Sequence, residues 1–156
     1  MDEITLYEVL LFAHLTFVAV WVGGDAMLQA VWLRAKRAGP ERTVQFMSDV
    51  EWIGSRVLTP SALLVVAFGV WLVIDSPAWE FSQFWVSAGL AVFLASFITG
   101  AGFLGPESGR VGKAADEYGA ADPGVQRRIA RVLLVSRIEL LFLILVIFDM
   151  VVKPGL

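Results

Sequence analysis

Residues 6–33, LYEVLLFAHLTFVAVWVGGDAMLQAVWL, decide the fold class. Apart from Glu8, His14 and Asp25, the run has no charged or readily charged side chain. As a helix it would rise roughly 42 Å, more than the roughly 30 Å of hydrocarbon in a bilayer. Open backbone groups find no partner in lipid, so a chain that crosses it there must be helical or a closed barrel. Barrel strands would read as short alternating segments, and this run does not alternate.

Three further runs have membrane length, at about 57–74, 84–104 and 132–152. The sequence therefore predicts an all-α membrane protein, one four-helix transmembrane bundle with spans at about 6–33, 57–74, 84–104 and 132–152. Composition agrees: 58% of the 156 residues are hydrophobic and 17% are charged, against roughly 45–50% and roughly 25% in soluble domains. The chain opens Met-Asp-Glu, without the basic start of a signal peptide, so the first helix reads as retained. No cysteine is present, which excludes disulfides, thiolate metal sites and thiol redox chemistry. No basic stripe interleaved with aromatics occurs, which gives nucleic acid no footing.

Basic residues set the expected orientation. Arg34, Lys36, Arg37, Arg42 and Arg56 fall between or beside the first two spans. Arg110, Lys113, Arg127, Arg128, Arg131 and Arg137 fall between the third span and the start of the fourth, which leaves Lys153 alone at the opposite end. The positive-inside bias places both longer loops in the cytoplasm and both termini outside. Gly39-Pro40 and Asp122-Pro123 read as helix starts, so the second and fourth helices should extend into the cytoplasm. Pro60 is expected to kink the second. The small, polar stretch 105–121 reads as a loop with one short amphipathic piece, and Glu107 as the beginning of that loop. Trp79, Phe81, Phe84 and Trp85 read as an interfacial aromatic belt. Ser96 and Gly100 have the spacing that lets helices approach closely. No internal repeat of two helical hairpins is visible.

Chemistry concentrates on the first helix. His14 is the only histidine, and an ionisable ring in lipid needs a partner, a cavity or a function. Offsets of seven and eleven residues bring Trp21 and Asp25 onto its face. Gly23 and Gly24 remove bulk beside Trp21, so a neighbouring helix or a flat ligand can come close. His14 is then either a hydrogen-bonded core residue, an axial ligand to haem iron or another metal, or part of a proton relay. Asp25 falls near mid-membrane, with Arg56 or Arg137 as candidate ion-pair partners. Glu51, Arg56, Arg137 and Glu139 could form an internal ion-pair cluster, or the arginines could hold propionates or phosphates.

The run His14-x6-Trp21-x-Gly23-Gly24 resembles the first helix of HemJ-type protoporphyrinogen oxidases and of CopD-like copper-resistance membrane proteins. Over nearly its whole length the chain resembles bacterial membrane domain-of-unknown-function family 2269, in the segments 14–24, 51–56, 69–73 and 100–106. The HemJ-like resemblance implies haem b, or a porphyrin, bound by His14 within a four-helix bundle. The porphyrin oxidases carry a basic residue about three turns after the motif Trp, where this chain has Val31. With a single histidine, bis-His ligation would need a two-fold homodimer; Met27 and Met150 are the other conceivable sixth ligands. Copper is the weaker expectation, because the four methionines are scattered and no thiol exists.

The leading expectation is a multi-pass protein of a bacterial cytoplasmic (inner) membrane that binds haem b or a porphyrin. His14 would be its axial and metal ligand, with Trp21, Gly24, Arg56 and Arg137 around the cofactor and Asp25, Glu51 and Glu139 as intramembrane polar groups. Its work would be electron transfer or porphyrin oxidation, with the lipid bilayer and a second copy of the chain as partners. The alternatives are a non-catalytic scaffold or accessory subunit with His14 in its core, or a small transporter or proton pathway through His14, Asp25 and Glu51.

Overall fold

The computed structural model describes residues 4–154. Six α-helices account for nearly all of it: α1 (Leu6–Ala38), α2 (Pro40–Ile53), α3 (Thr59–Asp75), α4 (Phe84–Thr99), α5 (Gly105–Tyr118) and α6 (Pro123–Val152). Two five-residue π-helical segments, Gly54–Leu58 and Gly100–Leu104, carry α2 into α3 and α4 into α5. The chain is thus four long rods, and no strand occurs among the described residues. Three of the rods, Leu6–Ala38, Pro40–Asp75 and Phe84–Tyr118, are long and apolar enough to cross a membrane. The fourth, α6, carries Arg137, Glu139 and Asp149 in its apolar half.

Local chemistry explains the rod ends. Thr5 and Glu8 form a reciprocal capping box: Glu8 N donates to Thr5 Oγ1 (3.3 Å) and Thr5 N donates to Glu8 Oε2 (2.8 Å). Asp122 caps α6 by accepting from the backbone N–H of Gly124 (2.7 Å) and Val125 (3.1 Å). Between α1 and α2 the chain turns on Gly39 alone, at φ +111°, a conformation that side chains disfavour. Each π-helical segment ends just before a proline, Pro60 or Pro106. A proline ring clashes with the carbonyl four residues earlier and donates no hydrogen bond; the wider π turn absorbs both defects without breaking the rod.

Neighbouring rods run antiparallel. Gly24 lies on Leu58 while His14 lies on Gly69, and Gly89 lies on Met150 while Glu107 pairs with Arg128. The two halves of the bundle pack differently. At the end holding α2 and α5, Trp32, Ala35, Phe46, Met47, Val111, Val125, Ile129, Val132 and Leu133 form a close-packed core like that of a soluble bundle. Toward the other end the buried cluster shrinks to Trp21, Ala62 and Leu143. There the large apolar side chains turn outward, with Phe12, Leu15, Leu63, Leu141 and Phe148 all exposed. Such a surface is costly in water and suited to lipid.

Two expectations need correction. Stretch 105–121 is not mainly loop: it is α5 through Tyr118, because the π turn absorbs Pro106 and Val111 sits fully buried in the core. Glu107 does not open a loop. It is buried, paired with Arg110 (3.3 Å) and Arg128 (2.5 Å), and joins α5 to α6. At Pro60, where a kink is expected, the rod passes through the π turn Gly54–Leu58 just before the proline.

Candidate functional site

Two cavities lie along the bundle axis. The one at the end where α1 begins and α6 ends, termed the outer cavity for that position alone, has a volume of about 330 Å³. It is lined by His14 with Val18, Val65, Gly69, Gly89, Phe93, Met150 and Lys153 among others. The inner one, of about 510 Å³, is lined by Asp25, Gln29, Glu51, Ser96, Ser136 and Glu139 and by both π-helical segments. Volumes of roughly 300–1,000 Å³ are those of small-molecule and cofactor sites. Trp21 is the one described residue that lines both, and it sits edge-to-face on Phe93 with centroids 6.0 Å apart.

In the outer cavity, His14 Nδ1 is 2.9 Å from the carbonyl oxygen of Val65. A carbonyl can only accept, so Nδ1 carries a proton, and in the neutral imidazole Nε2 then keeps its lone pair. The contact with Val65 is the one hydrogen bond of the ring among the described residues, and it leaves Nε2 without a partner there. The ring fits because Gly69 has no side chain: a Cβ there would stand 3.1 Å from His14 Cε1. Gly89 plays the same part for Met150, whose Cε would lie 2.5 Å from an added Cβ.

The outer end of this cavity is closed by aromatics and one cation. Trp79 and Trp85 meet edge-to-face at 5.1 Å, and Trp79 Nε1 donates to the Tyr7 hydroxyl (3.4 Å). The Lys153 ammonium stands 4.0 Å from the Trp79 ring centroid and 5.4 Å from that of Trp85. Lys153 caps α6 in the left-handed region, at φ 49°, the one described non-glycine residue with positive φ. Of the expected aromatic belt, Phe84 is exposed and Phe81 is exposed at the edge of the cavity it helps to line, whereas Trp79 and Trp85 face inward and line the cavity.

A chain of side-chain hydrogen bonds leads from Arg137 into the wall of the inner cavity, in place of the ion-pair cluster expected from Glu51, Arg56, Arg137 and Glu139. Arg137 Nε donates to Gln29 Oε1 (3.2 Å), Gln29 Nε2 to Ser136 Oγ (2.7 Å), and Ser136 Oγ to Asp25 Oδ1 (3.1 Å). Ser136, not Arg137, faces Asp25 because adjacent helical residues diverge by about 100°. Arg137 therefore reaches one turn further along α1, to Gln29. Glu139 lies beside Ser96, and Glu51 rests against the bare backbone of Gly109. Arg56 stacks on Trp52 at 5.4 Å, away from both carboxylates. The ion pairs among the described residues are Arg42–Asp49, Arg110–Glu107 and Arg128–Glu107, all outside this cavity.

The expected site residues thus divide. His14 and Trp21 share the outer cavity; Asp25, Glu51 and Glu139 share the inner one; Arg56 and Arg137 line neither. Gly24 serves helix packing, since a Cβ there would meet Leu58 Cδ2 at 2.8 Å. Sequence reasoning missed Val65 and Gly69 as site residues and noted Lys153 only as the one basic residue at that end. The only signal for Lys153 was its isolation from every other basic residue. No protein family, curated protein or solved structure matches this chain.

Proposed function

We propose that this protein is a four-span protein of a bacterial cytoplasmic membrane, with both termini outside, that holds haem b or a similar porphyrin in its outer cavity. One observation carries the reading: His14 spends its only proton on the Val65 carbonyl and retains an unpartnered Nε2 lone pair in the wall of an apolar cavity. A ring nitrogen pinned by a carbonyl while the other stays free is how metal-ligating imidazoles are oriented. The resemblance of His14-x6-Trp21-x-Gly23-Gly24 to HemJ-type oxidases supports the same assignment.

The residues fit the group. His14 would hold the iron through Nε2, Met150 lines the same cavity as a further candidate ligand, and Trp21 and Phe93 would pack against the macrocycle. Among the described residues no group of three or more His, Cys, Asp or Glu side chains is placed to hold a metal ion by itself. Bound haem supplies one-electron chemistry. The protein's share is to fix the imidazole, exclude water through the apolar walls, and separate the ring from the inner carboxylates by Trp21.

The test is haem content. Protein purified from haem-replete cells should show a Soret band and about one haem per site. A colourless protein that also fails to take up added haem overturns the reading and leaves His14 as a hydrogen-bonded core residue.

A further inference from the structure

The outer cavity is apolar along its length and has one charge, at its outer end. Lys153 lines that end and forms no ion pair among the described residues. Its ammonium is held instead by Trp79 and Trp85. Cation–π contacts position a cation without neutralising it, so the charge remains available to an anion. Lys153 is the C-cap of α6 and takes the left-handed conformation common at helix ends, where glycine is usual. A lysine in the left-handed region is unfavourable, and such a residue persists where the surroundings require it. By that turn the chain folds Lys153 back over the cavity mouth, whereas continued helix would carry it on past the end of α6.

We propose that Lys153 receives the carboxylate end of the ligand in the outer cavity, which makes that ligand an amphipathic anion seated with its carboxylates toward the outer membrane surface. The inference deepens the porphyrin reading and rests on it. Every other basic residue of the chain precedes position 138 and lines neither wall of this cavity. A porphyrin's apolar edge would then face Trp21, and its two carboxylates would face Lys153. An ammonium–carboxylate contact in a partly dehydrated mouth is a charge-assisted hydrogen bond, among the stronger kinds.

The experiment compares iron protoporphyrin IX with its dimethyl ester, in which both carboxylates are capped, on the full chain in lipid nanodiscs. Affinities are read from the Soret band for the wild type, Lys153→Met and Lys153→Arg. Comparing acid-to-ester ratios between variants cancels the ester's greater partition into lipid. The wild type should favour the acid by about tenfold more than Lys153→Met does, as loss of a charged hydrogen bond predicts. Lys153→Arg should keep the preference. Equal ratios in wild type and Lys153→Met, with both porphyrins bound, overturn the carboxylate assignment and leave the haem reading standing. Failure of both porphyrins to bind the wild type overturns both readings.

Discussion

His14 and Val65 lock α1 to α3 through a single 2.9 Å hydrogen bond, from an imidazole N–H to a main-chain carbonyl inside the bundle. The acceptor is backbone, so no substitution at position 65 removes it. The contact depends instead on how closely α3 approaches, and Gly69 sets that approach.

Gly69→Ala should therefore act on the site more than on the fold. The new methyl would stand 3.1 Å from Cε1 and 3.3 Å from Nδ1 of His14, which must tilt away. The expected result is at least about a tenfold loss of haem affinity and a destabilisation of about 1–3 kcal/mol, the usual cost of overpacking. Gly23→Ala is the control, because nothing lies within 4 Å of that position. It should leave binding unchanged and stabilise the helix by roughly 0.5–1 kcal/mol. Soret titration and thermal melts in detergent measure both.

The relay Arg137–Gln29–Ser136–Asp25 predicts strong non-additivity. Ser136→Ala removes the hydroxyl that donates to Asp25 and accepts from Gln29. Leaving buried polar groups unpaired should cost about 1–3 kcal/mol. In the Asp25→Asn background the same change should cost less, and a double-mutant cycle of melting free energies should return a coupling of about 0.5 kcal/mol or more. Additive effects would mean that the relay does not operate as a unit.

Glu107 predicts an order among its partners. Its side chain is only 6% exposed, with Arg128 at 46% and Arg110 at 66%. Arg128→Ala strands a buried carboxylate beside one loosely held, mostly exposed arginine and should cost about 2 kcal/mol after discounting for solvent. Arg110→Ala should cost less than about 1 kcal/mol. The reverse order, in parallel denaturation curves, would contradict the burial of Glu107 between α5 and α6.

Orientation can be read directly because the chain contains no cysteine. In intact cells a membrane-impermeant maleimide should label Ser82→Cys and spare Lys113→Cys, two exposed positions at opposite ends of the bundle. Labelling should equalise once the membrane is permeabilised. The opposite pattern would invert the proposed topology and turn Lys153 toward the cytoplasm.

Helix existence was legible in the sequence because it follows from length and hydropathy, both local properties. The starts at Pro40 and Pro123 were legible because proline and cap chemistry is local too. Segment 105–121 was misread for a physical reason. Gly105-Pro106 and Gly109 look like breakers, yet here the π turn absorbs the proline, and Gly109 has no side chain because Glu51 lies against it. The stripe of His14 and Trp21 was correct in direction, but single-helix geometry could not show that Trp21 partitions two cavities. Pairing was the least legible feature. Ser136 and Arg137 are neighbours in sequence, and only the rotation of α6 decides which of them meets Asp25.

The central claim is that Nε2 of His14 is a ligand position, and haem titration of the purified wild type against His14→Ala and His14→Gln tests it most directly. The account predicts a Soret band of axially ligated haem in the wild type only, with helical content and melting behaviour nearly preserved in His14→Gln. A wild-type Soret band that His14→Ala reproduces in position and intensity would contradict it.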